Sequence, residues 1–378
     1  MGANSGMRAV LVENDRRETW NALAIQEPTF SLMQSWEWGD YKASLGWRVF
    51  RVAVEQGGAL VAGAQVLLKS APLRLGSVAY IPRGPFGQWL NPDAFSAMIE
   101  RIDTVARAWH VVFLKMEPAA APSEQVERLS SQHGLRRSPH ATQPMATIIM
   151  DIATEEQALL GAMRKSTRRK ILSAERKEVM VRPGGVEDLD LFYRMMQVTA
   201  SRAGFEPKPL DYYAAEWEAF DRCGRAGFFL AYYNNTPLAA HIAYTFGPHA
   251  AFFHQVSSGE YAHLNANCLL VWEEIKWAKA RGCRSYDLWG IPDEVDESSC
   301  AEGASGKAER TDGLWGVYKF KRGFCKNIVR FCGSYDRVYR PLLYNTMMTE
   351  CVYDGLEKVM VCLDRNHPTH AHAGSPCA

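Results

Sequence analysis

Three groups of residues in this 378-residue chain are placed to do polar chemistry. The first is Lys319-Phe320-Lys321-Arg322, which closes an aromatic stretch that begins at Gly313. The second is a pair of carboxylates, Glu117 and Asp287, each near the end of a short apolar run. The third is a dense basic cluster, Arg164, Lys165, Arg168, Arg169 and Lys170. A fixed cation can hold negative charge that develops on an oxygen. A strand-end carboxylate can accept a proton or a hydrogen bond from an amine. Arg164/Arg168 and Lys165/Arg169 are four residues apart, so like charges share a helix face. Phosphates, from an RNA stem or a diphosphate, would relieve that repulsion. Each group also has an ordinary use: a solvated charge run, a buried cap or ion pair, a solvated helix.

The bulk numbers exclude several classes. Net charge is +1, so any RNA contact must use a local patch. Apolar residues make up 47% and charged residues 22%, the balance of a globular chain with a real core. No apolar run approaches the roughly 20 residues that span a bilayer, and the first twenty residues hold no apolar signal core. A cytoplasmic protein without stable membrane insertion is expected. None of the nine Cys falls in the first 222 residues, and none has metal-ligand spacing, so neither a zinc site nor a catalytic thiol is expected. His241, His254 and His263 read as hydrogen-bonded structural residues. Trp36, Trp38, Trp47, Trp289 and Trp315 read as core that could also line a pocket.

The elements that must position these residues follow one order twice. Each half has a helix-rich start, an antiparallel hairpin, a third strand, a long helix and a buried strand. The hairpins are Trp47 to Val54 with Ala59 to Leu68, and Ala226 to Tyr233 with Leu238 to Phe246. The long helices are Pro92 to Trp109 and Ala262 to Arg281, and the buried strands are His110 to Met116 and Arg284 to Trp289. One helix is expected from Thr154 to Glu178 and a closing helix from Tyr335 to Leu363. The pattern predicts an α+β (α/β) fold of two tandem acyltransferase-like units with a cleft between them. Domain 1 is 1–145 and domain 2 is 146–363, with a flexible insert at 293–312 and a disordered tail at 364–378.

Several segments, in order, carry a resemblance. They are Gln34-Ser35-Trp36-Glu37-Trp38-Gly39-x-Tyr41-Lys42, Arg83-Gly84-Pro85, Leu114-Lys115-Met116-Glu117-Pro118, the basic cluster at 164–170, Tyr286-Asp287-Leu288-Trp289-Gly290-Ile291 and Tyr318-Lys319-Phe320-Lys321. Together they resemble the Fem (FemABX) family of tRNA-dependent peptidyltransferases, over residues 30 to 345. The chain has no room for the coiled-coil insertion of some members and so is similar to the compact ones. The resemblance implies two GNAT-like domains, an aminoacyl-tRNA co-substrate with no other cofactor, and a UDP- or lipid-linked peptidoglycan precursor as acceptor. It also implies a monomer, with domain 1 on the acceptor side and domain 2 on the tRNA side. The product would be the first residue of an interpeptide bridge.

The same resemblance implies roles. Lys321 would stabilise the oxyanion of ester aminolysis, and Glu117 would accept a hydrogen bond or proton from the acceptor amine. Phe320 would wall the terminal adenosine. Lys42 would contact acceptor phosphates or peptide, with Trp38 and Arg83 beside it. Lys208 and Tyr212 match an Arg-Pro-x-x-Tyr acceptor segment in which Lys replaces Arg and loses the bidentate fork. Arg164, Lys165, Arg168 and Arg169 would bind tRNA. Asp287 reads as a structural residue that fixes its loop. Two other enzyme readings stay open: a related enzyme acting on a small amine, and an acyl-CoA N-acyltransferase. The second should carry a glycine-rich pyrophosphate turn, and none precedes the helices at Pro92 or Ala262. A catalytically dead RNA-binding module fits poorly with the near-neutral charge.

Overall fold

The structure is a computed structural model that describes residues 6–70, 76–295 and 314–349. These residues divide into two compact units. The first runs to Met145 and takes the chain up again at Arg330; the second is Ala146–Val329. Each is α+β and built on one mixed sheet.

The first unit holds β1 (Met7–Leu11), α1 (Arg17–Ala24), α2 (Trp36–Ser44), β2 (Arg48–Gln56), β3 (Ala59–Ser70), β4 (Ser77–Pro82), β5 (Phe86–Gly87), α3 (Pro92–Ala108), β6 (Val111–Glu117), α4 (Glu124–Gln132) and β7 (Leu135–Arg137). Gly57 and Gly58, both at positive φ, turn β2 into β3. Asn91 caps α3 by accepting from the amides of Asp93 (2.9 Å) and Ala94 (3.2 Å), with Pro92 at the first helical position. That helix buries Phe95, Met98, Ile99 and Ile102, one face at helical spacing, against Val52, Val54, Ala64 and Leu114 of the sheet. It is the crossover that lets β4 and β6 run parallel.

The second unit holds β8 (Ala146–Asp151), α5 (Glu156–Ala162), α6 (Lys165–Arg176), β9 (Met180–Pro183), α7 (Leu189–Ala203), α8 (Leu210–Asp221), β10 (Ala226–Tyr233), β11 (Thr236–Phe246), β12 (His249–Ser257), α9 (Ala266–Ala280), β13 (Ser285–Gly290), α10 (Leu314–Lys321) and β14 (Ile328–Arg330). The sheet order is β14-β8-β13-β12-β11-β10-β9, and again one parallel pair, β12 with β13, is joined by a buried helix, α9. The duplication legible in the sequence is thus a duplication of hairpin, third strand, crossover helix and parallel strand.

Three expectations differ from the structure. The helix expected over 154–178 is two, because Met163 and Arg164 are extended (ψ 155 and 139). Met163 is buried there, and the Arg164 amide donates to Gly323 O (3.0 Å) instead of continuing the helix. The closing helix is β15 (Tyr335–Val338) followed by α11 (Pro341–Met347). Consequently residues 330–349 belong to the first unit and not to the second domain. The first sheet runs β1-β2-β3-β4-β6-β15-β7, with β5 on β3, so β15 lies between β6 and β7. The insert at 293–312 falls mostly, and the tail at 364–378 wholly, outside the described residues.

What draws β15 inward is charge as well as ladder bonds. Asp336 stands opposite Lys115 in the register, and their ion pair (3.1 Å) is fully buried. Lys115 Nζ also donates to Ser138 Oγ (2.5 Å) and His140 O (2.6 Å), while Asp336 accepts from Ser138 Oγ (2.6 Å) and Tyr344 Oη (2.8 Å). Removing one partner of a buried pair strands the other charge. Asp336→Ala should therefore destabilise the first unit by about 3–5 kcal/mol, read as a lowered urea midpoint. The volume-matched double variant Lys115→Met/Asp336→Leu should lose less. Equal midpoints for wild type and Asp336→Ala would show that the pair does not hold β15.

Candidate active site

The second unit's sheet opens at one place. β12 and β13 run side by side only through His249↔Ser285, Ala250↔Tyr286 and Ala251↔Asp287. Beyond that, β12 stays with β11 while β13 stays with β8, and the latter register breaks between Asp287 and Gly290. Trp289 sits in the break at φ 65, unusual for so bulky a residue. Asp287 holds it: Oδ1 accepts from the Trp289 amide (2.7 Å) and from Thr147 Oγ1. The indole packs on Phe253, with ring centroids 4.8 Å apart.

Lys321, the last residue of α10, reaches this opening. Its Nζ donates to Gly290 O (2.8 Å) and lies 5.6 Å from the Phe252 ring centroid. The side chain is 3% exposed, and burial pulls its amine down to about 7, against the opposing pull of Asp287. Near neutral pH the amine is divided between its two protonation states, so a negative charge arriving beside it would draw it to the ammonium. Gly323 fixes the end of α10: a Cβ there would stand 2.2 Å from Thr167 Oγ1, so only glycine lets α6 approach.

Phe320, next in sequence to Lys321, lines a cavity of about 310 Å³ at the start of α9. Lys170 of α6 and Arg202 of α7 supply its cations, Glu260 its one acid, and Tyr261, Asn265 and Asn267 further polar lining. The basic cluster divides. Lys165, Arg169 and Lys170 are exposed. Arg168 instead turns back on α5, donating to Leu160 O (3.3 Å) and Gly161 O (3.0 Å), where it neutralises the helix C-terminus. Arg164 is half-buried, tied by its backbone to Gly323.

The expected acceptor residues of this unit are more enclosed than a recognition loop would be. Lys208 is half-buried, and its amide donates to Tyr213 Oη (3.3 Å). Tyr212 is 7% exposed and packs edge-on against Tyr213, which continues to His254 and, through it, to Glu216 Oε1 (2.9 Å from Nε2).

In the first unit the expected site residues are buried and bonded within the protein. Glu117, expected from sequence to accept a hydrogen bond or proton from the acceptor amine, accepts in the structure from Tyr80 Oη (2.5 Å) and the amides of Thr142 (2.5 Å) and Gln143 (3.1 Å). Arg83, at φ 48 just past β4, donates to Pro144 O (2.8 Å) and stacks on Phe331 at 4.0 Å. Both therefore clamp the segment that leads into β8. Lys42 is fully buried, its Nζ 4.5 Å from the Trp38 ring centroid and 4.4 Å from that of Tyr41. Its charge lies against two ring faces. Gln34 bridges Pro82 O (2.5 Å) and the Gln65 amide (2.7 Å), so the aromatic motif around it is an internal brace.

Sequence reasoning missed one buried chain of side chains. Tyr286 Oη donates to Glu274 Oε2, Glu274 Oε1 lies 2.5 Å from His241 Nδ1, and His241 Nε2 lies 3.0 Å from Asn267 Oδ1. The available signal was Glu274 itself, a carboxylate set between Leu270, Val271, Trp272 and Ile275 on an apolar helix.

The FemX crystal structure superposes with a TM-score of 0.79 at 18% identity, over 90% of this chain and 100% of that one. A tandem GNAT protein from the clavulanic acid biosynthesis pathway gives 0.50 at 12% identity, over 87% and 98%. These likenesses establish the fold, two tandem GNAT-like units. In sequence, the Lipid II:glycine glycyltransferase of Staphylococcus aureus (strain MRSA252) is 26% identical over 219 residues, 56% of this chain and 52% of the relative. The chain thus spans about half the length of the curated relatives it matches. The FemAB family profile matches residues 16–243 and 229–352. With a match of that extent over a tandem GNAT-like fold, the chain belongs to the FemAB family.

Proposed function

We propose that this chain moves an amino acid from aminoacyl-tRNA to the amine of a peptidoglycan-precursor stem peptide, forming the first residue of an interpeptide bridge. It would work in the cytoplasm as a monomer, with the RNA-borne amino acid as its only co-substrate. The relatives named as lipid II glycyltransferases support the reaction class. Among the described residues, no helix is long and apolar enough to cross a membrane.

The observation that carries the reading is the buried Lys321 amine beside the opened strand pair, with Phe320 on the neighbouring cavity. In the reaction the acceptor nitrogen attacks the ester carbonyl carbon, the carbonyl oxygen takes up negative charge, and the bond to the ribose oxygen then breaks. The ribose hydroxyl leaves with a proton, and the nitrogen loses one to become an amide. An ammonium in a dry site stabilises that oxyanion strongly, and the oxyanion in turn holds the proton on Lys321. Lys170 and Arg202 offer countercharge for phosphates at the cavity.

The decisive assay incubates the protein with charged tRNAs and a UDP-linked stem pentapeptide and follows the peptide mass. Lys321→Met should lower turnover at least tenfold, about 1.4 kcal/mol of barrier, with the fold retained. Transfer from acyl-CoA and none from any charged tRNA would overturn the reading.

Burial of Lys321 also makes a stability prediction. An unfolded lysine keeps its proton to about 10.5, and the folded one releases it near 7. Between these values the unfolded chain binds more protons, so stability rises with pH; below about 7 the full cost of the buried charge remains. Wild type should therefore gain melting temperature relative to Lys321→Met as pH is raised from about 7 towards 10. A gap that stays flat would show that the amine is not held out of water.

A further inference from the structure

Among the cavity's polar lining residues, Asn267 is singled out by what stands behind it. Tyr286, Glu274 and His241 are each fully buried. The group bonded to Glu274 Oε1 is the His241 imidazole, through Nδ1 at 2.5 Å. The other ring nitrogen, Nε2, lies 3.0 Å from Asn267 Oδ1, so the ring donates there and the amide oxygen accepts. With Nδ1 held on Glu274, the ring cannot turn away, and Asn267 keeps Oδ1 toward Nε2. Burial holds the Tyr286 pKa well above the ordinary tyrosine range, so the hydroxyl stays protonated and remains a donor to Glu274. With Oδ1 committed, the polar group that Asn267 can offer the cavity is its Nδ2 amide, a donor only. Lys170 and Arg202 line the same space, as does Asn265 at the helix start.

We propose that Asn267 is a specificity-determining donor for a nucleotide phosphate in this cavity, and that the Tyr286–Glu274–His241 chain is the positioning device that fixes its orientation. A donor-only amide in a cavity lined by two cations and one acid, Glu260, suits an acceptor-only, anionic group. Resting on the function proposed above, the phosphate is that of the RNA 3′ end. A nucleotide diphosphate on the acceptor would present the same chemistry.

The test measures binding of two probes to the full chain: an uncharged RNA minihelix with a single-stranded 3′ end, and UDP. Asn267→Asp keeps an oxygen for His241 but turns the cavity-facing donor into a carboxylate. It should weaken minihelix binding at least tenfold and leave the melting temperature within a few degrees of wild type. In steady state, Asn267→Asp should raise KM for charged tRNA and spare kcat, a split that loss of fold would not give. His241→Gln should raise KM severalfold in the same way. Wild-type affinity for both probes in Asn267→Asp would overturn the proposal, even with tRNA-dependent transfer intact. UDP binding that depends on Asn267, with no minihelix binding to wild type, would keep the phosphate site and overturn the RNA donor instead. Binding of neither probe to wild type would overturn the phosphate site.

Discussion

A parallel strand pair that stops early is the constraint on which the second unit's chemistry depends. Two strands bonded along their full length leave no room for a side chain between them. β12 and β13 separate after three paired positions, and the space is occupied by an amine on a carbonyl. Keeping them apart requires Trp289 in a left-handed conformation, and Asp287 supplies the hydrogen bond that makes it tenable. Position and electrostatics thus have one origin: the backbone that opens the sheet also shields the lysine from water.

The first unit has the same topology and resolves it differently. Its parallel pair is bonded from Ser77↔Val111 to Pro82↔Glu117, with no opening. The polar side chains at that end turn onto the segment from Ser138 to Pro144. One copy of the duplicated plan holds the chain rigid where the other makes room for a reactive group, although the two carry carboxylates at corresponding strand ends.

Much of this was legible because local physics and tertiary structure agree. The glycine pair at 57–58, the Asn91-Pro92 helix start and the apolar face of α3 each point to the element that forms. The importance of Lys321 came from the resemblance, since a lysine in a charge run looks solvated by composition alone. Glu117, Arg83 and Lys42 were legible as notable, and a buried cap or pair was one reading of Glu117, but their partners lie in distant segments that no periodicity connects to them. Tyr335-Asp336-Arg337-Val338 gave no strand signal for the same reason. Its aspartate is tolerated inside only because Lys115 waits there. The break at Met163 depends on Gly323, far along the chain.

The insertion of β15 between β6 and β7 also bears on how the chain is made. A ribosome delivers the second unit as one continuous stretch, able to close its sheet as soon as β14 has emerged. The first unit, though synthesised earlier, must wait with β6 unpaired on one edge and Lys115 without its counter-ion until β15 arrives. Birth order and completion order are reversed. Of the two halves, the one translated earlier stays longer exposed to wrong pairing.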